Sequence, residues 1–284
     1  MSNEPLDEKF DVIIIGAGIA GSSCALLLAR AGMNVLLLER SLQAGEKNMS
    51  GGRLYSYSLS RLIPDFATSA PLERLITQER ISLLSDESAV TLDYHHPPQA
   101  PHTASYSVLR SRFDPWLLAQ AEAAGTQCLL GVNVDALIDD RSGCICGVKM
   151  GEEALYAHWV VVAEGANTLL AEKHQLVAKP SPHTMAVGVK EILALPEQTL
   201  EDRFTLLPQQ GCAWMFAGAC THGIVGGGFI YTNRNSLSLG VVCNLSSLND
   251  TKQSLPQIMD DFRQHPVIAP IIKNSERLEY SAHL

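Results

Sequence analysis

Residues 10–21 constrain the fold more than any other stretch of this chain. Phe10 to Ile15 (FDVIII) is a continuous apolar, β-branched run, the pattern of a strand buried on both faces of a parallel sheet. Gly16-Ala17-Gly18-Ile19-Ala20-Gly21 follows at once, and then SSCALLLARAG, helical in composition and closed by Gly32 at a C′ position. Asn34 to Glu39 (NVLLLE) reads as a second strand, so the segment is a βαβ unit with short connections and implies a parallel sheet. In the G-x-G-x-x-G turn, Gly16 permits the tight bend, Gly18 lets backbone approach a pyrophosphate, and Gly21 lets helix and strand pack closely. The free N–H groups and dipole of the helix start then favour an anion. Glu39 lies 23 positions after Gly16, near the ~20 expected of an acid that accepts from a ribose 2′-OH. A carboxylate there repels a 2′-phosphate, which disfavours NADP; the fingerprint leaves NAD and FAD open.

Composition removes other classes. The 284 residues allow about two domains, and 46% hydrophobic against 18% charged residues supplies a packed core and excludes a disordered chain. A net charge of −9 lacks the basic footprint that phosphate backbones select, so nucleic acid is not an expected partner. No apolar run approaches the ~18–20 residues of a bilayer span, and the acidic start MSNEPLDEKF has no basic n-region. The seven cysteines are scattered, with no C-x-x-C, so neither a cluster nor a zinc site is encoded locally. A cytoplasmic location fits best.

Further along, Asp114 reads as an N-cap with Pro115 at N1, starting a helix that ends at Gly125. From Cys128 to Ala163 the pattern turns to strands, with a hairpin signal at 140–143. The last strand, His158 to Ala163, breaks into Glu164-Gly165-Ala166-Asn167. Residues 59–105 and 181–275 hold most of the prolines, several alternating segments and Gly226-Gly227-Gly228. They read as one β-rich second domain inserted twice into a nucleotide-binding domain formed by 1–58 and 106–180. His95 to His102 reads as a loop without a third metal ligand, Cys144 and Cys146 as small strand residues, and Trp214, Met215 and Phe216 as core.

Three segments decide between the nucleotides: Gly45 to Leu54 (GEKNMSGGRL), Val108 to Leu117 (VLRSRFDPWL) and VVVAEGANTLL. Together they resemble the FAD-binding domain of the glutathione-reductase-like flavoproteins, the branch with geranylgeranyl reductases and aromatic hydroxylases. The stretch GGGFIYTN…LSLGVVCNL…DFRQHPVIAP…EYSAHL is similar to the electron-transfer flavoprotein–quinone oxidoreductase family, in its shorter FixC-type members. The fold implied is α/β, a Rossmann-like FAD-binding domain with a second β-rich substrate domain.

That resemblance implies specific roles. Gly16, Gly18 and Gly21 would hold the FAD pyrophosphate, Glu39 the adenosine ribose, and Arg40 would lie beside the adenine end. Ser50, Gly51 and Gly52 would line the flavin side of their loop. Arg110, rather than Arg112, would reach the phosphate–ribityl region, and Glu164 and Gly165 would form the second dinucleotide contact. Gly226 to Gly228 would lie in the domain that covers the flavin ring and admits the quinone. No catalytic acid, base or nucleophile and no metal is implied. Electrons would pass from an electron-transfer flavoprotein to FAD, and on to a quinone or a ferredoxin-like iron–sulfur protein. Contact with the cytoplasmic membrane face would be peripheral. A flavin-dependent reductase or monooxygenase acting on a lipid or aromatic substrate, and a non-catalytic truncated remnant, are the alternatives. The family pattern also implies that 276–284 begins a return to the FAD domain through a Gly-Asp-Ala-type turn, of which this sequence holds only the start.

Overall fold

The computed structural model describes residues 9–46, 51–251 and 253–283. Fifteen strands lie among them: β1 (Phe10–Ile15), β2 (Val35–Glu39), β3 (Gly52–Tyr55), β4 (Leu72–Leu84), β5 (Ala89–His95), β6 (Ser105–Val108), β7 (Gln127–Leu130), β8 (Ala136–Asp139), β9 (Ile145–Met150), β10 (Glu153–Val162), β11 (Ala186–Ala194), β12 (Gln210–Gly218), β13 (Gly226–Thr232), β14 (Ser236–Asn244) and β15 (Glu276–His283). The chain divides into two compact units, 1–47 with 111–179, and 48–110 with 180–284.

Unit 1 holds a six-stranded sheet in the order β7-β2-β1-β10-β9-β8. β1 pairs in parallel with β2 on one side and with the second half of β10 on the other, and β7 runs parallel to β2. The first half of β10 forms an antiparallel meander with β9 and β8. Ile13, Ile14, Leu36 and Leu37 are almost fully buried, as a strand covered on both faces requires. The helix Ile19–Arg30 buries Ala25, Leu26 and Ala29. It stops at Gly32, whose φ of +82° and N–H bond to the Ala29 carbonyl are those of a C′ glycine.

Unit 2 holds a nine-stranded sheet in the order β15-β11-β14-β13-β12-β4-β6-β3, with β5 also on β4. The β12–β4 pair is parallel and the other pairs are antiparallel. One face is covered by the helices Glu197–Phe204 and Leu255–Gln264, whose Leu200, Phe204, Ile258, Met259 and Phe262 join Trp214, Phe216, Leu239 and Val241 in one core. Ser254 caps the second helix by accepting from the Gln257 N–H. Arg74 is fully buried; its guanidinium donates to Glu201, Glu197 and the carbonyls of Gln210, Asn233 and Arg234. One cation thereby ties β4 to the chain entering β12 and to the β13–β14 turn.

Several boundaries differ from the sequence expectation. The joins fall at 47/48 and 110/111 rather than at 58/59 and 105/106, because β3 and β6 pair with each other and β6 with β4, which fixes both in the second sheet. The segment 276–284 is grouped with unit 2. Its described residues form β15 on the outer edge of β11, where they satisfy backbone groups that a nearly buried strand cannot leave unpaired. The helix expected from Asp114 begins at Arg110 and runs through Pro115 to Ala123, since a proline in the first turns removes few hydrogen bonds. Asp114, instead of capping that helix from outside, is buried within it. His95 closes β5 instead of opening a loop.

Candidate functional site

In unit 1 the glycine turn has no room for side chains where the motif demands none. A Cβ on Gly16, at φ +105°, would stand 2.5 Å from the Ala163 carbonyl oxygen, and one on Gly21 would stand 1.8 Å from the Gly16 oxygen. Gly18 is the opposite case: a Cβ there meets nothing within 4 Å. Gly18 is also the N-cap of Ile19–Arg30, and no side chain caps that end and no acid lies in its first turn. Open space before uncapped helical amides is what a pyrophosphate needs, so these residues fit a dinucleotide.

Glu39 ends β2 and is fastened to this turn. One carboxylate oxygen accepts from the Ala17 N–H at 2.8 Å and the other from the Ser41 N–H at 2.9 Å. Each oxygen keeps lone-pair capacity for ribose hydroxyls. Arg40, next in the chain, is exposed. The Glu164 carboxylate accepts from the Leu170 and Ala171 N–H groups at 2.9 and 3.0 Å and caps the short helix Leu169–Lys173. Gly165 is exposed, with φ +78°. Arg112 is exposed on the helix Arg110–Ala123.

In unit 2 a cavity of about 520 Å³ is lined by Gly51, Gly52, Tyr55, Ile81, Lys190, Ala213, Met215, Phe229 and Tyr231, together with Arg53, Glu79 and Arg80. Phe229 and Tyr231 are stacked with ring centroids 5.2 Å apart. Arg53 grips Glu79 with two bonds of 2.6 and 3.1 Å, which hold the Glu79 carboxyl below its usual range. Lys190 is 3% exposed, with its Nζ 5.5 Å from the Phe229 ring centroid. Burial pushes its ammonium down to about 7; Arg110 adds to that and Glu279 opposes it. Of the loop expected on the flavin side, Gly51 and Gly52 are on this cavity wall and Ser50 lies outside the described residues. A Cβ on Gly51, at φ +74°, would strike Ser238 Oγ at 2.3 Å and approach Lys190 Nζ at 3.3 Å.

Gly226 to Gly228 are not on the cavity wall. They are strand positions where a Cβ would meet the Val242 carbonyl, the Phe216 carbonyl and the Phe262 ring, at 2.0, 2.7 and 2.8 Å, so packing alone demands glycine there. Trp214 and Phe216 are core, as read from sequence, whereas Met215 faces the cavity. Sequence reasoning missed Lys190, Arg53, Glu79, Phe229 and Tyr231. A usable signal existed for Lys190, the one cation of the run AVGVKEILA, which strand alternation places on the opposite face from Glu191.

Two stretches of the chain match known families. A family described as FAD dependent oxidoreductase matches residues 11–106, and one described as ETF-QO, ubiquinone-binding matches 185–284. The chain is 50% identical over 279 residues to the probable electron transfer flavoprotein-quinone oxidoreductase YdiS of Escherichia coli K12, and equally to Protein FixC of the same strain. Those alignments take in 98% of this chain, which spans 65% of either relative's length. Among solved structures, a geranylgeranyl bacteriochlorophyll reductase-like protein from Thermoplasma acidophilum superposes with TM-score 0.75 at 18% identity, over 97% of this chain and 66% of its own. The myxobacterial chondrochloren halogenase CndH gives 0.74 at 20%, over 97% and 64%. At such identities these two establish the shared fold.

Proposed function

As a FixC-type homologue of the electron-transfer flavoprotein–quinone oxidoreductases, with FAD the cofactor of its fold, this chain, we propose, takes part in passing electrons from an electron-transfer flavoprotein to a quinone. The observation that carries the reading is positional. Five wall residues of the unit 2 cavity, Lys190, Ala213, Met215, Phe229 and Tyr231, lie in the segment similar to the ubiquinone-binding family.

Bound FAD supplies the two-electron chemistry that these side chains lack. Gly16 and Gly21 would keep the turn tight and Gly18 would leave the uncapped amides of Ile19–Arg30 open to its pyrophosphate, while Glu39 would hold the turn in shape and accept from the ribose. In the cavity, the Phe229 and Tyr231 rings, with Met215 and Ile81, offer apolar walls to a planar ring, while the Arg53–Glu79 pair closes a polar side. Arg40, Arg110, Glu164, Gly165 and Ser50 keep the cofactor-side roles given above as part of this proposal.

A quinone carried in lipid requires access from a membrane surface, and unit 2 has a suitable face. Ile81 pairs with Leu92 and Leu83 with Val90 across β4 and β5, and these four side chains, with Tyr94, are exposed. Ile81 belongs both to this face and to the cavity wall. The location proposed is therefore cytoplasmic, with peripheral contact at the membrane face. No helix among the described residues is long and apolar enough to cross a membrane. A ferredoxin-like iron–sulfur protein is the proposed alternative acceptor.

The test is a titration of the purified 284-residue chain with FAD, followed by absorbance and flavin fluorescence. The FAD-loaded chain is then mixed with ubiquinone-1 and a reduced electron-transfer flavoprotein. Stoichiometric FAD and quinone reduction that requires the chain support the proposal. Retained FAD with no quinone reduction sinks the acceptor assignment, and failure to retain FAD sinks the enzymatic reading of this chain.

A further inference from the structure

We propose that Lys190 is the residue by which this cavity recognises a quinone, its ammonium donating a hydrogen bond to a ring carbonyl oxygen. The inference rests on the reading that a quinone enters unit 2, and adds what selects it there.

A lysine is seldom placed where its charge is removed from water without a carboxylate partner. Lys190 sits in β11 between Gly240 of β14 and Ser281 of β15, and no hydrogen bond or ion pair from its Nζ is found among the described residues. Its neighbour in sequence, Glu191, points away from the cavity and is held by Arg263 and Arg277. The other cations of the cavity wall are engaged. Arg53 donates to Glu79 and to Ser105, and Arg80 donates to Asp93 and lies over the Trp214 ring. The Tyr231 hydroxyl is turned towards Met215 sulfur at 3.7 Å. Nζ thus brings donors to an apolar wall over the Phe229 ring, 5.5 Å from its centroid, where a flat molecule can turn an edge oxygen towards it. A flat molecule bearing carbonyl oxygen satisfies Lys190, whereas a hydrocarbon of the same shape leaves the amine desolvated and unpaired.

The groups that face Lys190 set its behaviour with pH. Glu279 on β15 favours the ammonium and Arg110 opposes it, while burial outweighs both and leaves it titrating near 7. Arg53, Glu79, Arg80 and Tyr231 share the cavity. An acceptor oxygen binds best to the protonated amine, so quinone affinity falls as pH rises through that range.

The experiment measures ubiquinone-1 binding to the FAD-loaded 284-residue chain by quenching of tryptophan fluorescence at pH 6.5 and pH 8.5, for wild type, Lys190→Met and Lys190→Arg. For wild type, the dissociation constant is expected to rise several-fold between the two pH values, with about 25-fold the limit for a single group titrating near 7. Lys190→Met is expected to bind roughly tenfold or more weakly, without pH dependence. Lys190→Arg, a permanent cation, is expected to bind with a flat profile. Equal affinity and equal pH dependence in wild type and Lys190→Met overturn the proposal and leave the quinone reading standing. A wild-type chain that retains FAD yet does not bind ubiquinone-1 overturns both.

Discussion

Replacing Lys190 by methionine, a side chain of similar length without charge, should stabilise unit 2 in a pH-dependent way. In the unfolded chain the amine has its ordinary value of 10.5, and in the fold it titrates near 7. Between those values the unfolded state binds more protons than the folded one, so stability rises with pH across that window. Below pH 7 the full penalty of a buried ammonium applies. By linkage, Lys190 costs about 5 kcal/mol at pH 6 and about 2 kcal/mol at pH 9. The advantage of Lys190→Met should therefore shrink by about 3 kcal/mol over that interval, whatever constant offset the methionine packing adds. Urea unfolding at the two pH values measures it, in a Trp116→Phe, Trp159→Phe background that leaves Trp214, in the core of unit 2, as reporter. An advantage that stays constant from pH 6 to pH 9 would refute the reasoning, because it would mean that Lys190 titrates at its unfolded value.

Gly21→Ala places a methyl group 1.8 Å from the Gly16 oxygen; FAD retention should fall by at least tenfold, read by gel filtration with absorbance detection. Glu164→Ala removes the acceptor of two N–H groups at the start of Leu169–Lys173 and should cost ~1 kcal/mol of unit 1 stability; unchanged FAD affinity in the same variant would withdraw its dinucleotide role. Arg74→Met leaves Glu201 buried without its cation and should cost about 3–5 kcal/mol by urea unfolding. Leu92→Glu, on the exposed β4–β5 face, should weaken co-sedimentation with lipid vesicles severalfold without changing FAD content.

The nucleotide half was legible because its signals are local. A short apolar run, a glycine turn and a helix stop at Gly32 each depend on neighbours a few positions away, and backbone sterics alone fix them. The cavity was not legible, because its wall gathers Gly51, Glu79, Lys190, Met215 and Tyr231 through a sheet order that no local pattern encodes. Glu164 shows the same limit at one residue. An acid after a strand suits a cofactor or a helix cap equally, and the choice depends on whether Leu169–Lys173 forms. The glycines at 226–228 meet the same limit, since their tight neighbours, Phe262 and two carbonyls, come from other parts of the chain.

The interleaving of the two units bears on how the chain is made. β1 lies between β2 and β10, so its second edge stays bare while some 140 further residues leave the ribosome, on the order of ten seconds at ordinary elongation rates. β4 likewise waits for β12 as its parallel partner. During that interval the nascent chain carries open apolar edges in both halves, a state prone to aggregation. Heterologous expression should then reward slower synthesis, lower temperature or chaperone supply over any change to the finished protein's stability.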